Sequence, residues 1–124
     1  MTIKELMLVF IGGGLGSVLR YFLSVSLRSA DRSVWPWPTL AANIGASALL
    51  GFVAAVALLK PGSYEQQRLL LGTGFCGGLS TFSTFTLESL DLIRQGNTGI
   101  ALAYTLLSIL SCLLACWAAW SLVK

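Results

Sequence analysis

Residues 39–59 contain no charged side chain. Wound as an α-helix at about 1.5 Å per residue, such a run reaches about 30 Å, the hydrocarbon thickness of a bilayer. Residues 69–87 and 100–123 are equally free of charge, and residues 6–27 are interrupted only by Arg20. Charged residues make up 10% of the chain, far below the roughly 25% usual in soluble domains. With 124 residues and a mean hydropathy of +0.81, the sequence reads as one integral membrane domain. Lys4 is followed by Glu5, and no small-x-small site follows a short apolar core, which argues against a cleavable signal peptide.

The residues between the runs set their ends. Trp35-Pro36-Trp37-Pro38 separates the first two, because proline biases the preceding residue away from helix and tryptophan suits a membrane interface. Lys60-Pro61-Gly62 stops the second, and residues 95–99 turn the chain into the last. The expected fold is all-α, with four transmembrane helices over residues 3–28, 39–59, 64–94 and 100–123. The third is expected to break near residues 75–80. There the sequence runs Gly74-Phe75-Cys76-Gly77-Gly78-Leu79-Ser80-Thr81-Phe82-Ser83-Thr84-Phe85, with three glycines among hydroxyls and phenylalanines. Glycine weakens a helix, and in a bilayer each freed backbone group must find a partner in the protein or in a wet cavity. A helix broken to present backbone to an ion uses such a pattern.

Flanking charge gives no orientation. Lys4, Lys60, Arg68 and Lys124 fall on one side of a four-span layout, and Arg28, Arg32 and Arg94 on the other. Orientation follows an excess of Lys and Arg, and four against three is none; Arg20 makes it even. Insertion in both orientations, pairing as an antiparallel dimer, is one reading. A single orientation set by loop contacts is the other. Gly12-x-x-x-Gly16, Ala41-x-x-x-Gly45, Ser47-x-x-x-Gly51 and Gly74-x-x-x-Gly78 allow close helix packing, within or between chains.

The side chains exclude several functions. There is no histidine, and Ser80, Ser83 and Thr84 have no His or Lys neighbour to activate them, so nothing suggests an enzyme. No span carries a carboxylate near its middle, as a proton-coupled pump requires. The net charge of +3 forms no basic stripe for nucleic acid. Cys76, Cys112 and Cys116 all fall inside spans, an odd number that reads as packing. What is left is uncharged. Asn43 either bonds a neighbouring helix or offers its amide N–H to an anion. Phe82 and Phe85 share a helix face, as core or as ring edges whose positive rim meets an anion. Tyr104, Ser108 and Cys112 recur every fourth residue, as a pore wall or as hydroxyls bonded to their own helix. Arg20 either snorkels or lines an anion vestibule. Glu88 approaches the pathway or stays apart from it, and Asp91 with Arg94 is expected to form a partly paired interfacial end.

These residues resemble the CrcB (Fluc) family of fluoride channels. The resemblance rests on Gly12-Gly13-Gly14-Leu15-Gly16 followed by Arg20, on Pro38-Thr39-Leu40 leading to Asn43-Ile44-Gly45, on the block from Gly74 to Phe85, and on Glu88 after it. It implies a dual-topology antiparallel homodimer in the bacterial inner membrane with two fluoride pores. Phe82, Phe85 and Asn43 would line the pores, with Thr81, Ser83, Tyr104 and Ser108 along them and Arg20 in a vestibule. It further implies one structural Na⁺ held by the backbone carbonyls of Gly77 and Ser80 from both copies. Ser80 stands where the family usually has threonine, and Cys112 where a hydroxyl is common. The competing class is a small proton-coupled multidrug-type exporter, which needs a carboxylate deep in the first helix. Here that helix holds Arg20.

Overall fold

The computed structural model describes residues 1–27, 34–62 and 64–123. Arg28, Asp31, Arg32 and Lys124, on which the connector and charge-balance readings partly rest, lie outside the described residues. Those described are all-α, without strands. Helix α1 (Ile3–Ser26) opens with a capping box: the Glu5 amide donates to the Thr2 hydroxyl (3.3 Å) and the Thr2 amide to the Glu5 carboxylate (2.7 Å). Helix α2 (Trp37–Leu59) begins two residues earlier than residue 39, because Pro38 in the first turn has no N–H to leave unpaired. The chain then runs through α3 (Glu65–Gln67), a π-wound stretch (Arg68–Cys76) and α4 (Gly77–Leu79), followed by α5 (Phe82–Arg94) and α6 (Thr98–Ser121). Gly96 closes α5 at φ 83°, a left-handed conformation that glycine adopts without strain.

Among the described residues, α1, α2 and α6 are long and apolar enough to cross a membrane. Their large apolar side chains, such as Phe10, Phe22, Leu113 and Trp117, point outward. Outward apolar faces suit lipid, and the protein is a multi-pass membrane protein. The remaining helical stretch is interrupted, but not at the glycines. Gly77 has φ −63° and ψ −36° and stays helical. Helical geometry is lost at Ser80 (ψ 156°) and Thr81 (φ −153°, ψ 120°).

The glycines serve contact. A side chain on Gly12 would collide with the Leu70 carbonyl, on Gly16 with that of Phe75, and on Gly78 with that of Gly13. Helix α1 thus lies backbone to backbone against the π-wound stretch and α4. Gly51 meets the Cys116 carbonyl in the same way, which joins α2 to α6. Two buried clusters flank the interruption. One is Leu40, Leu92, Ala101 and Tyr104; the other is Ala42, Ala46, Cys76 and Leu79. Cys76 is therefore a packing residue.

Candidate functional site

The interruption is held by side chains that displace helical hydrogen bonds. In a continuous helix the Thr81 amide would donate to the Gly77 carbonyl. Instead it donates to Asn43 Oδ1 at 2.7 Å, while Asn43 Nδ2 donates to the Thr81 carbonyl at 3.2 Å. Asn43 thereby pairs with both polar groups of one residue, as a neighbouring strand would. The Thr84 amide, which would otherwise return to Ser80, donates to Thr81 Oγ1 at 3.2 Å. That makes Thr81 the N-cap of α5. The Ser80 amide and hydroxyl both donate to the Cys76 carbonyl, at 2.9 and 2.8 Å. Among the described residues no donor meets the carbonyls of Gly77 or Ser80.

Beside the interruption lies a cavity of about 260 Å³, lined by Asn43, Ser47, Ser80, Thr81, Phe82, Phe85, Ser108, Ile109 and Cys112. Phe82 and Phe85 come from the first turn of α5, with ring centroids 5.7 Å apart and planes tilted by 37°. Phe85 continues to Tyr104 at 5.2 Å. Phe82 is 80% exposed in the single chain. Ser108 is buried, and its hydroxyl has no hydrogen-bond partner. A buried donor left unpaired is costly unless something else accepts from it. On α6 the Tyr104-Ser108-Cys112 stripe divides: Ser108 and Cys112 face the cavity, whereas Tyr104 is fully buried beside it.

The Tyr104 hydroxyl donates to Glu88 at 2.9 Å, and the Thr39 hydroxyl donates to the other Glu88 oxygen at 2.7 Å. This carboxylate, weighed from sequence as a group near the pathway, sits between α2, α5 and α6 one turn from Phe85 and outside the cavity lining; its clasp by Thr39 is the main addition to the residues expected from sequence. Thr39 precedes Asn43 by one helical turn, and that spacing was the available signal. Ser83 is exposed and 3.3 Å from Thr81 Oγ1, outside the cavity lining. Arg20 reaches the interruption from α1 and is absent from the cavity lining, its Nε donating to the Gly78 carbonyl at 3.0 Å. The ion pairs among the described residues are Met1 amino with Glu5 and Arg68 with Glu65; Asp91 and Arg94 form none, contrary to expectation. Three residues apart near the end of α5, both are left to the surroundings of the protein.

A second cavity, of about 450 Å³, shares Ser47 and Ser80 with the first and extends between α2 and the π-wound stretch as far as Arg68. Gly72, Thr73, Cys76, Gly77 and Ser80 line it together with Ala46, Ser47 and Leu50 of α2. A Cβ added at Gly77 would meet nothing within 4 Å. Gly77 and Ser80 thus border space that this chain leaves open.

Comparison with known proteins agrees over almost the whole sequence. The family model described as CrcB-like protein, Camphor Resistance (CrcB), matches residues 7–120. The "Fluoride-specific ion channel FluC 1" of Mycolicibacterium paratuberculosis is 45% identical to it, over 98% of this chain and 91% of its own length. The "Fluoride-specific ion channel FluC" of Pyrococcus furiosus is 46% identical over 90% and 89% of the two chains, and that of Bacteroides fragilis 44% over 90% of each. With the match running from early α1 to the end of α6, the chain belongs to the CrcB-like protein family.

Proposed function

We propose that this protein is a fluoride-selective channel through which fluoride leaves the cytoplasm passively. The observation that carries this reading is the cavity beside the interruption: two phenyl rings, an amide and an unpaired buried hydroxyl converge there without any charged side chain. Such groups replace part of the water shell of a small anion. A phenyl ring offers its positive edge, Ser108 its hydroxyl, and Asn43 the second N–H of its amide, since only one is needed for Thr81. Neutral HF crosses a bilayer and dissociates in a less acidic cytoplasm, so fluoride accumulates there. A membrane potential negative inside then drives the anion out with no energy-coupling residue. The exporter alternative lacks its deep carboxylate: the charged residue deep within α1 is Arg20, while Lys4 and Glu5 sit in the first turn.

In this reading the segments α3 to α5 form one interrupted crossing, the third of four. Two copies pair in opposite orientations, which the near-even distribution of Lys and Arg supports. Phe82, largely uncovered in one chain, and the open space at Gly77 support a second copy against this face. The free carbonyls of Gly77 and Ser80 are hard oxygen donors suited to Na⁺, as unwound backbone is in membrane ion sites. One chain offers too few ligands, and two copies together would hold the ion. It would supply a fixed positive charge that satisfies carbonyls lipid cannot.

Two measurements test this reading. Liposomes containing the purified protein should release fluoride, and chloride only far more slowly; equal release of both would reject a fluoride channel. Tags at the C-terminus should report both sides of the membrane. Two or three lysines added to one connector should impose one orientation and abolish efflux until an oppositely biased copy is supplied. A single orientation of the unaltered protein would remove the antiparallel arrangement.

A further inference from the structure

Arg20 is usefully compared with Asn43, because both replace bonds that the interruption removes. In an unbroken helix the Gly78 carbonyl would accept from the Phe82 amide. Helical geometry ends at Ser80, however, and Phe82 starts a separate helix. Arg20 Nε takes that carbonyl at 3.0 Å from 58 residues away. It can do so because Gly16, one turn earlier on α1, lies against the backbone of Phe75 and Leu79. The bond places a cation at the C-terminal end of α4, where partial negative charge collects. The half-buried Arg20 is absent from the lining of the cavity that holds Phe82, Phe85 and Ser108. With Gly78 engaged and Cys76 accepting from Ser80, the carbonyls of Gly77 and Ser80 are left free.

We propose that Arg20 is a positioning residue for permeation: its Nε–H bond to the Gly78 carbonyl holds the end of α4, and its charge is not offered to the anion. This rests on the fluoride-channel reading and replaces the vestibule role implied by family resemblance. Three substitutions separate bond from charge. Glutamine places an N–H donor as many bonds from Cα as arginine Nε, without the charge. Methionine places a methyl group there, and lysine keeps the charge with a carbon at that position.

Arg20→Gln should conduct within about threefold of the parent, whereas Arg20→Met should lose about tenfold or more, the scale expected for a buried carbonyl left unpaired. A charge role gives the opposite pattern: Lys conducts, Gln fails as badly as Met, and the advantage of the parent shrinks as salt screens it. That pattern overturns the proposal. A second readout needs no flux. In purified protein, amide hydrogen exchange at Ser80 and Thr81 should rise in Arg20→Met and stay at the parent level in Arg20→Gln. Unchanged exchange in Arg20→Met overturns the proposal whether or not fluoride passes. A parent that shows the exchange pattern but passes no fluoride would overturn the channel reading alone.

Discussion

Replacing Phe82 or Phe85 with isoleucine should cut fluoride efflux by about tenfold or more, equivalent to about 1.4 kcal/mol on the barrier, while the protein still assembles. The two positions test the same idea from different packing contexts. Phe82 is 80% exposed in the single chain, so its core contribution there is small and a loss of flux cannot be ascribed to a damaged interior. Phe85 packs on Tyr104 and the buried cluster around Leu40. An apolar swap of similar volume there should cost under about 1.5 kcal/mol of stability. Isoleucine keeps the hydrophobic character and removes the electropositive ring edge. Asn43→Asp should act alike, because it deletes the Nδ2 donor to the Thr81 carbonyl and sets an acceptor against it. Each variant is to be measured by efflux from liposomes beside its size-exclusion profile. If all three assemble and pass fluoride at the parent rate, the pore assignment is wrong even though the family membership stands.

The second large effect is expected at Gly77. Gly77→Leu should preserve the fold of the chain, because a Cβ there meets nothing within 4 Å and leucine is a better helix former than glycine, which costs roughly 0.8–1 kcal/mol relative to alanine. It should nevertheless abolish efflux and dimer formation, since the side chain would enter the space assigned to a second copy and to Na⁺. Gly78→Leu is the contrasting variant: its Cβ would collide with the Gly13 carbonyl, so the chain itself should fail to fold. Ser80→Thr should be tolerated, because only its backbone carbonyl is asked to bind the ion. Helical content by circular dichroism and mass in detergent separate these outcomes. A Gly77→Leu protein that dimerises and conducts normally would remove both the cation site and this docking face.

Much of the membrane architecture was legible in the sequence, for a simple reason. A charge-free run of bilayer length must satisfy its own backbone in lipid, and only a helix does so within one segment. The limits of α1, α2 and α6 follow from that demand, adjusted by the cap at Thr2 and by Pro38. The interruption was legible in the block at Gly74 to Phe85, and it falls at the end of the expected range, at Ser80 and Thr81, but not at the residues composition pointed to. Composition pointed to the glycines, yet these remain wound and carry the contact with α1. The chain leaves the helix at Ser80 and Thr81 because Asn43, 38 residues earlier, captures the Thr81 amide and carbonyl. The Glu88 clasp by Thr39 and Tyr104, and the reach of Arg20 to Gly78, are likewise bonds between distant segments. Local pattern determines which segments become helices, since each helix closes its own hydrogen bonds. Where a helix stops, and which carbonyls it leaves free, is a competition between neighbours along the chain and partners across it, and only the packed structure decides that.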